Sequence, residues 1–141
     1  MSYNVQTGIA LSFQTGADLS QAQGLFVKIG TDSLLTAADK TDYALGVLVN
    51  QPSVGVKGQY AGTVAILGVA PVCVGGVYPI GTFIVPGVLD STHGIGLSVA
   101  DATANARYVR AVTLQASTAA YDVVSCRLID ANPGVDSTVV A

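Results

Sequence analysis

The sequence predicts an all-β protein, a single small β-barrel or β-sandwich of β-tulip-like form with extended terminal arms. Three observations carry that expectation. Val occurs 21 times and Gly 16 times, whereas Glu is absent and Lys28, Lys40 and Lys57 are the only lysines. Residues that populate exposed helix faces are therefore missing, and those that favour strands and turns replace them. Apolar runs are short and broken by Gly or Pro, which is strand-and-turn punctuation. About eight such runs at roughly ten-residue spacing suit a barrel or sandwich.

Taken in order, residues 8–14 (GIALSFQ) alternate and read as a first strand behind a short polar arm. Residues 24–30 (GLFVKIG) read as a second, with Phe26 and Lys28 on one face and Leu25, Val27 and Ile29 on the other. TDSLLTAADKTD (31–42) is rich in side chains that bond their own backbone, which predicts turns and at most one helical turn. ALGVLVN (44–50) predicts a third strand, stopped by Asn50-Gln51-Pro52. In the loop SVGVKGQ, Gly55 and Gly58 suit positive φ. AGTVAILG and VAPVCVG predict a pair of strands, 61–67 and 69–74, parted by Gly68. Both faces of that pair are apolar, so it belongs inside a sandwich or barrel, or on a subunit contact.

VYPIGTFIV turns at Pro79-Ile80-Gly81 and continues as a short strand to Val85. GVLDSTHGIGLSVADATANA predicts a loop or hairpin, with a short helix near 99–106. RYVRAVTLQ and YDVVSCRLI predict two strong closing strands joined by ASTAA, and ANPGVDSTVVA has turn-plus-strand character. No repeat or linker divides the chain. One domain is expected over 1–141, with an N-terminal arm and first strand in 1–16, a β core in 17–130 and a C-terminal tail in 131–141.

Composition also restricts function. Half the residues are hydrophobic and 11% are charged, against ~25% in an average domain. Net charge is −3, and Arg107, Arg110 and Arg127 have no lysine run beside them, so no nucleic-acid partner is expected. So few charges imply a surface dressed in Ser, Thr, Gln and Asn, or hidden against other subunits. The first twenty residues lack a basic n-region and an unbroken apolar stretch, which predicts a chain made and used without crossing a membrane. No charge falls between Gly58 and Leu89, long enough for a membrane helix. Pro71, Pro79, Pro86 and repeated glycines break that run, so it reads as buried strands.

Reactive chemistry is sparse. His93 is the only histidine, within four residues of Asp90 and Ser91 in LDSTHGIG. A catalytic triad needs its members to converge from separate places, so this reads as a solvated turn capped by Asp90 and Ser91. The nine aspartates sit in expected turns or strand ends, with neither a calcium loop nor a phosphate-binding glycine motif. Cys73 and Cys126 lie in separate expected strands and read as free buried thiols, with a disulfide open only if those strands are neighbours. Tyr43, Tyr60, Tyr78, Tyr108 and Tyr121 fall near strand ends, where packing is the expected role. No catalytic residue, cofactor or metal ligand is assigned.

The segment ALGVLVNQPSVGVKGQYAGTVAILGVAPVCVGGVYPIGTFIV carries a resemblance. A strand ends in Gly46-Val47-Leu48, Asn50 and Pro52, and a loop bearing Gly55 follows. Val64-Ala65 and Gly68-Val69 make a strand pair, and Gly75-Gly76, Ile80, Gly81 and Thr82 make a turn. In this order the elements resemble bacteriophage capsid cement, or head decoration, proteins. ADLSQAQGLFVKIGTD is similar to that family's opening strand and VRAVTLQASTAAYDVVSCRLI to its closing hairpin, so the likeness covers roughly residues 17–130. Thr82, where the family more often has Asp, and extra residues at both ends are departures.

The resemblance implies a β-barrel or β-tulip-like domain, often a homotrimer, on the outside of an icosahedral head. There it would clamp neighbouring major capsid protein subunits. Extended apolar ends are the expected contacts with capsid or neighbour: Tyr3, Asn4, Val5 and Gln6, and Val135, Thr138, Val139 and Val140. The alternatives are another β-rich phage binding module, of tail, fibre or carbohydrate-binding type, and a hydrolase using His93.

Overall fold

Ten short strands, and no helix among the described residues, make up the computed structural model of the chain. The described residues are 9–15, 23–30, 35–38, 44–50, 60–101 and 109–129. Both expected terminal arms, the 53–59 loop and most of the expected 99–106 helix lie outside them.

Strands β1 (Ala10–Thr15), β2 (Phe26–Ile29), β3 (Leu35–Ala37), β4 (Gly46–Leu48) and β5 (Tyr60–Ala65) form one sheet in the order β1-β3-β2-β4-β5. It curls until β5 pairs antiparallel with β1 over six residues, and the circuit is completed by one parallel pair, Thr15↔Leu35. Strands β6 (Gly68–Cys73), β7 (Phe83–Leu89), β8 (Thr92–Ser98), β9 (Ala111–Thr113) and β10 (Val123–Leu128) form an antiparallel second sheet in the order β6-β10-β9-β7-β8. A parallel bridge, Val74↔Gly96, draws the chain after β6 back onto β8.

Alternation along the strands sorts neighbours into two cores. Phe26, Val47, Ala65 and Ile84 enter one cluster with Val72, Val124 and Cys126. Their chain neighbours Val27, Leu48, Val64 and Val85 enter the other, with Ile95 and Leu97. Four strands from two sheets thus bury both faces, β5 among them as its apolar sequence anticipated, whereas β6 leaves Val69, Pro71 and Cys73 only partly buried. Each cluster draws on both sheets, and backbone hydrogen bonds join them too: Cys73 N–H donates to Gly24 O at 2.8 Å. Each fully buried Val, Leu, Ile or Phe contributes about 1.5–3 kcal/mol relative to exposure.

The structure corrects several expectations. Within the turn-rich 31–42 segment, Leu35–Ala37 is strand β3, paired with Val27, Lys28 and Ile29. Its residues gave no local strand signal because turn-forming side chains flank them on both sides. The expected strand pair 61–67 and 69–74 does not pair with itself. β5 is bonded by β1 on one side and β4 on the other, so no edge remains for β6, which crosses to the second sheet through Gly68 at φ 97°. β7 continues past Val85 to Leu89, and 87–98 resolves into a β7–β8 hairpin. Within the described part of expected strand 107–115, β9 covers Ala111–Thr113, after which the Gln115 side chain takes over, its Oε1 accepting from Ser125 N–H.

The hairpin turn places Asp90 and Ser91 at φ 49° and 74°, the left-handed pair of a two-residue β-turn. The register then skips Gly94, leaving Val88 opposite His93 and Gly87 opposite Ile95. Gly94 is thus the extra residue of a bulge, at φ 84°, and a Cβ there would run into the carbonyl oxygen of Phe26. Gly81 has a similar φ of 89° but open space around it. Both Gly94→Ala and Gly81→Ala should destabilise, by about 1–3 kcal/mol for backbone strain. Gly94→Ala should cost clearly more, because its methyl meets fixed backbone. Urea unfolding of the two variants separates strain from collision.

Candidate interaction surface

Across β6, β10, β9 and the start of β7 the second sheet has one face in the core and one outside, whereas further along β7 and β8 Val85, Ile95 and Leu97 bury the other face too. On the inner face Ala70, Val72, Ile84, Ala111, Thr113, Val124, Cys126 and Leu128 are all buried. Residues between them point outward, and the register sets them in rows. Val69 opposes Arg127, Arg127 opposes Val112, and Val112 opposes Phe83, which makes one line across four strands. Directly opposed residues share a face, so these four side chains stand side by side. Pro71 opposes Ser125 and Cys73 opposes Val123 in the next rows. Phe83 is 54% exposed, Val123 48% and Leu114 44%. Arg127 is exposed and has no ionic or hydrogen-bonding partner among the described residues.

Polar groups behind this face hold it rigid. Thr113 is buried, and its hydroxyl donates to Pro79 O at 2.9 Å while accepting from Thr82 N–H at 2.9 Å. The Thr82 hydroxyl also donates to Pro79 O, at 2.7 Å. An ionised Asp, which the resembled family favours here, has no proton to give to that carbonyl. The turn so locked projects Ile80, which is 66% exposed. Behind it Ser117 Oγ donates to Gly76 O and accepts from Tyr78 N–H. Tyr78 donates its phenol proton to Asp101 at 2.6 Å. Burial, and then that bond to a carboxylate, push the Tyr78 pKa up.

The turn into β10 is organised by Asp122, whose Oδ2 accepts from Thr118 N–H, Thr118 Oγ and Ala119 N–H. These bonds, led by the one from the Thr118 backbone, hold the Asp122 carboxyl below the ordinary range. Pro71 and Val123 continue the face into an open groove of about 330 Å³, walled opposite by Gln23, Gly24 and Val49.

Of the residues singled out in the sequence, Tyr3, Asn4, Val5, Gln6, Val135, Thr138, Val139 and Val140 lie outside the described residues. His93 is exposed on β8, and Asp90 Oδ2 accepts from Tyr121 OH at 3.2 Å. Asp90, Ser91 and His93 thus form a surface turn and strand, with no converging geometry. Among the described residues no group of three His, Cys, Asp or Glu side chains is placed to hold a metal. Phe83 and Tyr121 are exposed at separate places, Phe83 on β7 and Tyr121 in the turn ahead of β10.

Cys73 and Cys126 lie on neighbouring strands but are not joined. Cys73 opposes Val123 and Cys126 opposes Ala70, so an odd offset puts the thiols on opposite faces of the sheet. Burial pushes Cys126 up to about 12, and burial followed by the Asp122 charge raises Cys73.

Sequence reasoning missed the structural role of Arg110. It is 4% exposed, and its guanidinium donates to Ile129 O at 3.0 Å and Leu45 O at 3.4 Å, tying the second sheet to the approach to β4. An arginine within an apolar run, RYVRAVTLQ, was the available signal. No family model matches the chain, and no curated protein is similar to it.

Two measurements test this geometry. At pH 8 a thiol with a pKa of about 12 is ~10⁻⁴ ionised, so Cys126 should resist maleimide in the folded protein, Cys73 should react slowly, and both should react fully in urea. A reductant should leave Tm unchanged; a drop would mean that the thiols pair. Asp122 stabilises while ionised, because its folded pKa is depressed. Its contribution is present above the ordinary carboxylate range and fades as pH falls through the lowered value. Asp122→Ala should therefore lower Tm at pH 7, and the gap from wild type should close in acid.

Proposed function

We propose that the chain is a structural virion protein, a homotrimer bound to the outside of a phage capsid, where it stabilises contacts between major capsid protein subunits. The observation that carries this reading is the outer face of the second sheet: apolar, nearly uncharged, and fixed from behind by the Thr113, Ser117 and Asp122 bonds. A monomer in water gains nothing from such a face, whereas a contact surface needs one. Apart from Arg127, the side chains in its rows are short or ring-shaped, so little entropy is lost when they are covered. The resemblance to head decoration proteins points the same way. Repeated weak contacts from a trimer would reach high avidity without any one being strong. The reading assigns no reaction, cofactor, nucleic acid or membrane to the chain, and puts it on the capsid surface after synthesis in the host cytoplasm. The terminal arms, Tyr3–Gln6 and Val135–Val140, would add contacts to capsid or neighbour.

A density gradient of nuclease-treated lysate from the native source tests the reading. The chain should travel with DNA-filled particles at hundreds of copies each. A few copies per particle would point to tail or fibre, and a free small oligomer at the top would overturn the proposal. Deleting either arm should reduce occupancy on particles while the circular dichroism spectrum stays unchanged. Full occupancy after both deletions would remove the arms from the interface.

A further inference from the structure

We propose that the outer face of the second sheet docks a protein surface unlike itself, an apolar surface carrying one carboxylate that pairs with Arg127. This rests on the binding-protein reading above and adds the chemistry of recognition.

The placement of Arg127 is the first reason. It stands in the middle of the face, between Val69 and Val112, each one strand away at about 4.8 Å, with Phe83 one strand further. No other described residue in these rows is charged. When a partner covers the face, water leaves and the guanidinium is stranded among valines. An uncompensated charge there would oppose association, whereas a bidentate carboxylate would fix orientation as well as strengthen the contact. A central Arg with an exposed aromatic ring in the same row fits the make-up of a protein interface, where Arg and aromatic residues are enriched.

Charge also argues against a second copy as occupant. A twofold axis through this face would bring one Arg127 towards another, with no acid among the described residues of these rows between them. An offset contact would need a carboxylate from elsewhere on the chain. Of the described aspartates, Asp90 accepts from Tyr121 and Asp101 from Tyr78, each on a distant segment, and Asp122 accepts from Thr118 and Ala119 within its own turn. Each described aspartate thus already has a partner of its own, and the complement in this proposal is an acidic side chain on a different protein.

Two experiments on the full-length chain separate this proposal from the functional reading. In the first, the chain is passed over a mixed-mode resin bearing phenyl and carboxylate groups. Although the protein is acidic overall, wild type should be retained, and Arg127→Ala and Phe83→Ser should elute at clearly lower salt, with Arg127→Lys in between. Variants with wild-type Tm but unchanged elution would overturn the proposal. In the second, Phe83→p-benzoylphenylalanine and, as control, Leu11→p-benzoylphenylalanine are photolysed on particles stripped of the native chain. Position 83 should cross-link to a particle protein through a peptide containing Asp or Glu, and Arg127→Glu should lower bound protein at least tenfold. Cross-links joining copies of this chain, or equal yields from both positions, would overturn it. Specific retention on the resin without particle binding would leave the docking chemistry standing and remove the capsid reading. Particle binding indifferent to Arg127 and Phe83 would do the reverse.

Discussion

The constraint on which this structure depends is that its central strands have no polar face. β2, β4, β5 and β7 send alternate residues into two different clusters: Phe26 against Val27, Val47 against Leu48, Val64 against Ala65, Ile84 against Val85. A strand buried on both sides must have its backbone groups bonded on both edges, because water reaches neither. That requirement curls the first sheet until β5 meets β1, and draws the chain after β6 back to β8. The described aspartates, Asp90, Asp101 and Asp122, lie in the turns that connect strands and accept hydrogen bonds there. Arg110 is a buried cation whose fork caps carbonyls at the junction of the two sheets.

Those turns do more than reverse the chain. Thr113, Ser117 and Asp122 each make two hydrogen bonds to backbone, and Asp122 a third to the Thr118 hydroxyl, so the connections are as well determined as the strands. The outer face of the second sheet inherits that order. Its exposed apolar side chains sit on backbone with little freedom to lose, and the only described charge in its rows is at its centre. Low net charge, a liability for a free monomer, is what such a surface requires at a contact.

Much of the fold was legible because turns have chemistry of their own. Pro79-Ile80-Gly81 and Asp90-Ser91 are turns in the structure, and the Gly- and Pro-delimited runs around them are strands. Partnership was not legible. β5 and β6 follow each other in sequence with matching apolar character, yet they enter different sheets, because β1 and β4 had already taken both edges of β5. Leu35–Ala37 pairs with β2 although its neighbours are turn formers. Local propensity cannot report a ladder whose other strand supplies the reason for it. The same limit hid the candidate surface. Val69, Phe83, Val112 and Arg127 are spread over fifty-nine positions, from 69 to 127 inclusive, and only the register makes them neighbours.

By itself, then, the sequence determined the all-β class, most of the strand segments and the poverty of reactive chemistry, since each follows from residue type and short-range spacing. The tertiary structure alone decided which strands pair, that Cys73 and Cys126 face opposite ways, that Arg110 is buried and Arg127 exposed, and that one sheet face is apolar. The physical reason is that side-chain exposure in a sheet is set by parity within the register, and register is settled by long-range hydrogen bonding between strands that no local stretch of sequence contains.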